Sequence, residues 1–330
     1  MSAVTVPNTD EQLHAGALAE PVIRHFLPPT GAGEAIGAAV LRTTLRALLK
    51  PVLRLGVPLS IQRGVLHALS VTMLQAGGVE VRKEQLGPIM VERIRPKGIK
   101  PRQAVLYLHG GAFCTGSPRS HRSLTTRFAR YGQAEVLVPD YRRIPEHAFP
   151  TQIEDCLMAY KSLLKAGWKP EQIAIAGDSA GGTLTLQVCL AARLQGLPMP
   201  ACMVMMSPAI DMSLSSRSAT ERAAVDPLIN VSWGRQAISW LKVPAGHPLA
   251  HPSESDLAGL PPMLVQVGED EVLFDDAHWI AHGAAKMGGH AELEIYLKRW
   301  HVFPIHAGAL PSATAALGRQ IDFMRRHWRV

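Results

Sequence analysis

Gly177-Asp-Ser-Ala-Gly-Gly182 sets a serine among small residues, directly after the apolar run Gln172 to Ala176 and directly before a helical pattern over Ala180 to Gln195. A sharp strand-to-helix turn at that point lifts the hydroxyl of Ser179 above a sheet, and the glycines let the backbone make the turn. A serine hydroxyl becomes a nucleophile when an imidazole takes its proton and a carboxylate holds that imidazole. Of the 14 histidines, His301 is best placed, because it follows the last strand-like run, Glu292 to Leu297, and comes after a cluster of acids. His306 is its nearest rival, and His290 precedes the strand. The acids lie in Gly268-Glu-Asp-Glu-Val-Leu-Phe-Asp-Asp276, on the loop after the run Met263 to Val267. Asp275 and Asp276 suit the cap of the following helix, which leaves Asp270 and Glu271 as the two candidates for the acid. A second turn, His109-Gly-Gly-Ala-Phe113, ends the run Ala104 to Leu108. Alone it would be a plain tight turn. Beside a serine elbow, the N–H groups of Gly110, Gly111 and Ala112, joined by that of Ala180, are candidate donors to an oxyanion.

These residues need a scaffold of strands and helices. Short apolar runs at Ala104 to Leu108, Glu135 to Val138, Gln172 to Ala176, Cys202 to Met206, Met263 to Val267 and Glu292 to Leu297 alternate with helical patterns at Thr151 to Lys165, Ala180 to Gln195, Asp275 to Met287 and Pro311 to His327. That alternation predicts a mostly parallel sheet covered on both faces. Val79 to Arg95 reads as two strands around Gly87-Pro88. Upstream, Val40, Leu41, Leu45, Leu48, Leu49, Val52 and Leu53 recur at helical spacing with Arg42, Arg46, Lys50 and Arg54 between them, interrupted near Pro51 and Pro58. A second helix is expected over Ile61 to Gln75. Residues 1–33, with Pro7, Pro21, Pro28-Pro29, Gly31 and Gly33, read as a flexible or loosely docked extension.

The chain has 330 residues, 47% of them hydrophobic and 18% charged, so it can bury a large core. Four cysteines without CxxC spacing indicate neither a zinc site nor a disulfide framework, and Asp10 and Glu11 stand where an export signal would need basic and apolar residues. A reducing cytoplasm is the expected compartment. The net charge of +7 is concentrated in the first third, and no acid occurs from Ala35 to Val79. That segment is expected to be a helical cap whose apolar face roofs a pocket and whose basic side chains face water. Docking of its basic face on anionic lipid is the less favoured reading. No motif points to nucleic acid, since the basic stripe lacks interleaved aromatics.

In combination the motifs resemble those of the bacterial hormone-sensitive lipase family of esterases. The similarity runs from about residue 40 to 327 and rests on His109-Gly-Gly-Ala-Phe113, Asp140-Tyr-Arg-Arg-Ile-Pro-Glu-His-Ala-Phe-Pro150, Gly177-Asp-Ser-Ala-Gly-Gly182, Ser207-Pro208 with Asp211, Leu257-Ala-Gly-Leu-Pro-Pro262 and His301-Val-Phe303. The resemblance implies an α/β-hydrolase fold: a mostly parallel central sheet of about eight strands, helices on both faces and an N-terminal helical cap. It implies a cap segment over residues 34–78, a catalytic domain over 79–330, and a contribution to the cap from 211–252. It also implies a carboxylic ester hydrolase for short to medium acyl chains, with Ser179 as nucleophile, His301 as base and no metal or organic cofactor. The family's acid stands in a DPL-like stretch. Here Glu271-Val-Leu273 aligns with it, making Glu271 the expected acid and Asp270 the reserve. Asp226-Pro-Leu228 lies too early and is expected to be a cap or turn element. Ala112 replaces a family glycine, which implies a narrower pocket. A homodimer through the last strand and its neighbouring helix is implied as well. The alternative is a ligand-binding relative without chemistry, disfavoured by the presence of His301.

Overall fold

The computed structural model describes residues 19–244 and 246–329. The strands are β1 (Val22–Phe26), β2 (Val79–Leu86), β3 (Ile89–Pro96), β4 (Ala104–Leu108), β5 (Glu135–Pro139), β6 (Ile173–Asp178), β7 (Cys202–Met206), β8 (Met263–Gly268) and β9 (Ala291–Tyr296). They form one nine-stranded sheet in the order β1-β9-β8-β7-β6-β4-β5-β3-β2. The β2–β3 hairpin is antiparallel, β3 meets β5 antiparallel, and every other pairing is parallel.

Parallel strands covered on both faces must be apolar at every position, and β4 shows why the run Ala104 to Leu108 has no alternation. Ala104, Leu106 and Leu108 pack on one side with Tyr160 and Leu184, from helices α4 (Thr151–Lys165) and α5 (Ala180–Leu194). Val105 and Tyr107 pack on the other side with Phe128 and Phe323, from α3 (Arg122–Gly132) and α9 (Pro311–His327). Helix α8 (Phe274–Lys286) completes the first layer.

Above the C-terminal ends of the strands, over the loops that carry Gly110, Ser179 and His301, sits a cap made of α1 (Ala32–Thr44), a π-helical turn at Leu45–Leu49, α2 (Leu59–Thr72) and α7 (Val231–Leu241), with α6 (Arg217–Glu221) packed beside α8. Its entry is pinned by Glu34. This buried carboxylate pairs with Arg299 and accepts the Ser312 N–H at 3.1 Å. Arg299 in turn donates to Ser312 Oγ at 2.8 Å.

Two expectations change. Val22–Phe26, inside the stretch read as a loose extension, is a strand lying parallel on β9, with Val22 opposite Glu292 and Phe26 opposite Tyr296. Five residues between prolines carry too little periodicity to signal a strand, but the free edge of β9 supplies a hydrogen-bond ladder that makes them one. The sheet therefore has nine strands, and the edge of the last one is already occupied. The part of the extension before residue 19 lies outside the described residues. Helix α3 was not signalled either, because threonines and arginines fill it; Ser123, Thr125, Thr126 and Arg127 are all buried in it.

Candidate active site

Ser179 sits between β6 and α5 with φ 52° and ψ −123°, a region that costs a non-glycine residue about 1–3 kcal/mol. The turn is held because its neighbours have no room for side chains. A Cβ at Gly181 would lie 2.0 Å from the carbonyl oxygen of Leu108, and one at Gly177 would lie 2.2 Å from that of Gly181. The Ser179 N–H donates to Met206 O on the adjacent strand at 2.8 Å. Ser179 opens onto an apolar cavity of about 380 Å³ shared with His301, Gly110, Gly111, Ala112 and Ala180. The roof is apolar too, including Leu45, Leu49, Leu69 and Met73 from the N-terminal helices and Trp233 and Ile238 from α7.

His301 follows β9 on a buried loop, and its Nδ1 lies 3.9 Å from Glu271 Oε2. Burial pushes its pKa down to about 4, so the imidazole is neutral at physiological pH. Glu271 is wholly buried, which pushes its carboxyl up, while Ser207 Oγ–H (2.8 Å) and the Gly268 N–H (3.3 Å) donate to it and favour the anion. Ser207 Oγ also accepts the N–H of Val302 at 3.0 Å. One hydroxyl therefore ties the loop carrying the acid to the loop carrying the histidine.

Asp270 is elsewhere. Its side chain is 24% exposed and pairs with Arg42 of the cap at 2.6 Å. His306 lines the same cavity as His301, whereas His290 pairs with Glu292 at the start of β9. Asp275 and Asp276 do not cap α8. Asp275 accepts the N–H of Ser218 at 2.8 Å, and Asp276 those of Ile210 and Asp211 at 2.6 and 2.8 Å. Asp226 is buried in a turn, accepting the N–H groups of Leu228, Ile229 and Val272, and so braces the residue next to Glu271.

The glycine-rich turn requires one correction. The Gly110 N–H donates to Asp178 Oδ1 at 3.1 Å and so is not free for an oxyanion. Gly111, Ala112 and Ala180 remain on the cavity wall. Ala180 is the first residue of α5, where an N–H has no carbonyl four residues back to bond. Ala112 adopts φ 49°, a left-handed conformation that costs an alanine about 1–2 kcal/mol. The cost is tolerated because the turn is cross-braced: Thr115 N–H and Oγ–H both donate to Gly111 O, at 2.8 and 2.9 Å.

Asp178 is the node that composition and spacing did not single out. It accepts Tyr107 O–H at 2.6 Å, the Gly110 N–H, and His121 Nε2 at 3.2 Å. Burial opposes its charge, yet His121 and these donors hold its carboxyl below the usual range. An acid closing an otherwise apolar strand was the available signal. Tyr141 O–H donates to His109 O at 2.8 Å and stacks on its ring at 4.2 Å, fixing the other end of the turn.

A family model described as the alpha/beta hydrolase fold matches residues 105–305. The chain is 38% identical to an acetyl-hydrolase of Streptomyces hygroscopicus over 242 residues, which cover 73% of this chain and 81% of the relative. It is 32% identical to an esterase of Acinetobacter venetianus over 282 residues, covering 84% and 93%. The crystal structure of an esterase from the bacterial hormone-sensitive lipase family superposes with a TM-score of 0.82 at 34% identity, covering 91% of this chain and 100% of that one. With its serine elbow, glycine-rich turn and cap, the chain belongs to the α/β-hydrolase fold family, among the bacterial hormone-sensitive lipase esterases.

Proposed function

We propose that this carboxylic ester hydrolase works through an acyl-enzyme on Ser179, with His301 as base and Glu271 as the acid that orients it. Ser179 Oγ attacks the ester carbonyl while His301 takes its proton. Glu271 holds the imidazole tautomer, and the N–H groups of Gly111, Ala112 and Ala180 stabilise the tetrahedral oxyanion. His301 then protonates the departing alcohol, and water repeats the cycle on the acyl-enzyme. No metal or organic cofactor takes part in this scheme. The carrying observation is the shared cavity: Ser179 and His301 both line it, and the buried Glu271 stands behind the histidine. An apolar cavity of about 380 Å³ supports acyl chains of short to medium length.

Ser179→Ala should abolish hydrolysis of p-nitrophenyl butyrate and labelling by a fluorophosphonate; retained turnover would overturn the assignment. Glu271→Ala should lower kcat on the order of 10³–10⁴-fold, and Asp270→Ala, at a partly exposed pair, should change it by less than about threefold. The reverse ranking would transfer the role to Asp270.

The cell compartment and assembly belong to the same proposal. Four buried free cysteines support a reducing cytoplasm. A homodimer is supported by the exposed Val22 and Ile23 on edge strand β1, rather than by β9, whose edge is covered.

A further inference from the structure

A second cavity, about 620 Å³, adjoins the one that holds Ser179, and Leu66, Gly116 and Ser120 are walls of both. At this shared wall Gly116 packs directly on the glycine-rich turn, where a Cβ would lie 2.2 Å from the carbonyl oxygen of Gly110. The two chambers differ in character. The first is lined by leucines, whereas Arg63, Lys83, Arg119 and Arg143 surround the second, with Glu92 and Asp140 as its acids. Most of these charges are already matched. Glu92 is held by Arg122 through bonds of 2.9 and 2.7 Å, Arg63 by Glu146 through bonds of 2.6 and 2.8 Å, and Arg143 faces Asp140 at 3.3 Å. Lys83 also lies within electrostatic reach of Asp140. Lys83 and Arg119 nevertheless form no salt bridge among the described residues.

An ester has two halves, and the leucine-lined chamber suits an apolar acyl chain. We propose that the second cavity receives the alcohol half of the substrate, and that this half carries an anionic group, phosphate or carboxylate, bound by Lys83 and Arg119. The inference rests on the esterase reading above. The reaction balances without another reactant: the bond from Ser179 Oγ to the acyl carbon forms, the bond from that carbon to the alcohol oxygen breaks, and the leaving oxygen takes the proton held by His301. The anion on the alcohol is a recognition element and leaves unchanged.

A set of butyryl esters tests this in a pH-stat: 1-butyrylglycerol 3-phosphate against 1-butyrylglycerol, 4-butyryloxybenzoate against phenyl butyrate, and butyrylcholine as the cationic control. At low salt at least one anionic ester should exceed its neutral counterpart in kcat/KM by about tenfold, the scale of two partly exposed ion pairs. The preference should shrink in about 0.5 M salt, where screening acts over a few ångströms. Which pair shows it tells phosphate from carboxylate. The double variant Lys83→Gln with Arg119→Gln should lose the preference while hydrolysing phenyl butyrate within about twofold of the parent, since neither side chain reaches the neutral ester's charge-free alcohol. Equal kcat/KM within both pairs, a preference for butyrylcholine, or a preference that survives the double variant would overturn the proposal alone. Failure to hydrolyse any of the esters would overturn the esterase reading and this inference with it.

Discussion

As the proposed base, the imidazole of His301 is expected to carry the pH dependence. A general base must be neutral to accept a proton, and burial holds this one at about 4 where an exposed imidazole would titrate near 6.5. Protonation on acidification removes the base, so the acidic limb of kcat/KM should fall through about pH 4 and stay flat from there to neutrality. Initial rates of butyrate ester hydrolysis between pH 3.5 and 8, in buffers of constant ionic strength, would show this; a midpoint near 6.5 would contradict it. Burial alone would make Glu271 a poor partner for an imidazolium, and the Ser207 and Gly268 donors are what favour its charge. Ser207 is itself strained, at φ 47°. A serine at that position satisfies both loops with one hydroxyl, which no apolar residue of the same size could do.

At the scale of elements, the cap is bound through its basic residues. Arg46 donates to the carbonyls of Ala224 and Val225 at 3.2 and 3.1 Å, and Lys50 donates to those of Ala223 and Asp226 at 3.0 and 2.5 Å. Arg42 adds its pair with Asp270 and lies over the Trp300 ring at 5.3 Å. These side chains are expected in water, as the solvated back of an apolar roof; Arg46 and Arg54 are exposed, whereas Arg42 and Lys50 are half-buried. Arg42, Arg46 and Lys50 also fasten that roof to the turn after α6, where carbonyls are left without helical partners. The same commitment weakens any lipid-docking role for the stripe. Replacing Arg46 and Lys50 together by Met keeps their aliphatic length but removes these bonds. The expected outcome is a KM for p-nitrophenyl octanoate raised about tenfold, the scale of one charge-assisted hydrogen bond, with KM for the acetate ester within about twofold. Equal changes for both chain lengths would show that the cap does not grip the acyl tail.

For the whole molecule, the two sheet edges differ. Strand β2 presents Glu80, Arg82, Lys83 and Glu84, charges that discourage pairing with another copy. Strand β1 presents Val22 and Ile23, both exposed, beside a ladder that is unpaired among the described residues. If two copies meet, β1 is the edge that serves. Light scattering during gel filtration should show a dimer for the parent and a monomer for Ile23→Lys, with esterase activity of the monomer retained; a monomeric parent would remove the dimer from the proposal. No helix among the described residues is long and apolar enough to cross a membrane.

Chain order and local pattern are enough for the alternation of strands and helices and for the strand-to-helix turn at Ser179, because each depends on residues adjacent in sequence, and strand order nominates His301 from among fourteen histidines. Helices α4 and α9 run over the residues their periodicity marks. What adjacency could not decide was which polar groups meet across the fold. Glu271 and Asp270 are neighbours with the same chemistry, and only the direction of one loop buries the first behind His301 and turns the second toward Arg42. Gly110 reads as an oxyanion donor in the sequence, yet Asp178, 68 residues later, holds its N–H. The fate of the basic stripe and the strand at Val22–Phe26 have the same origin. Each is settled by hydrogen-bond partners that belong to distant segments, and those partners exist only once the sheet has brought the segments together.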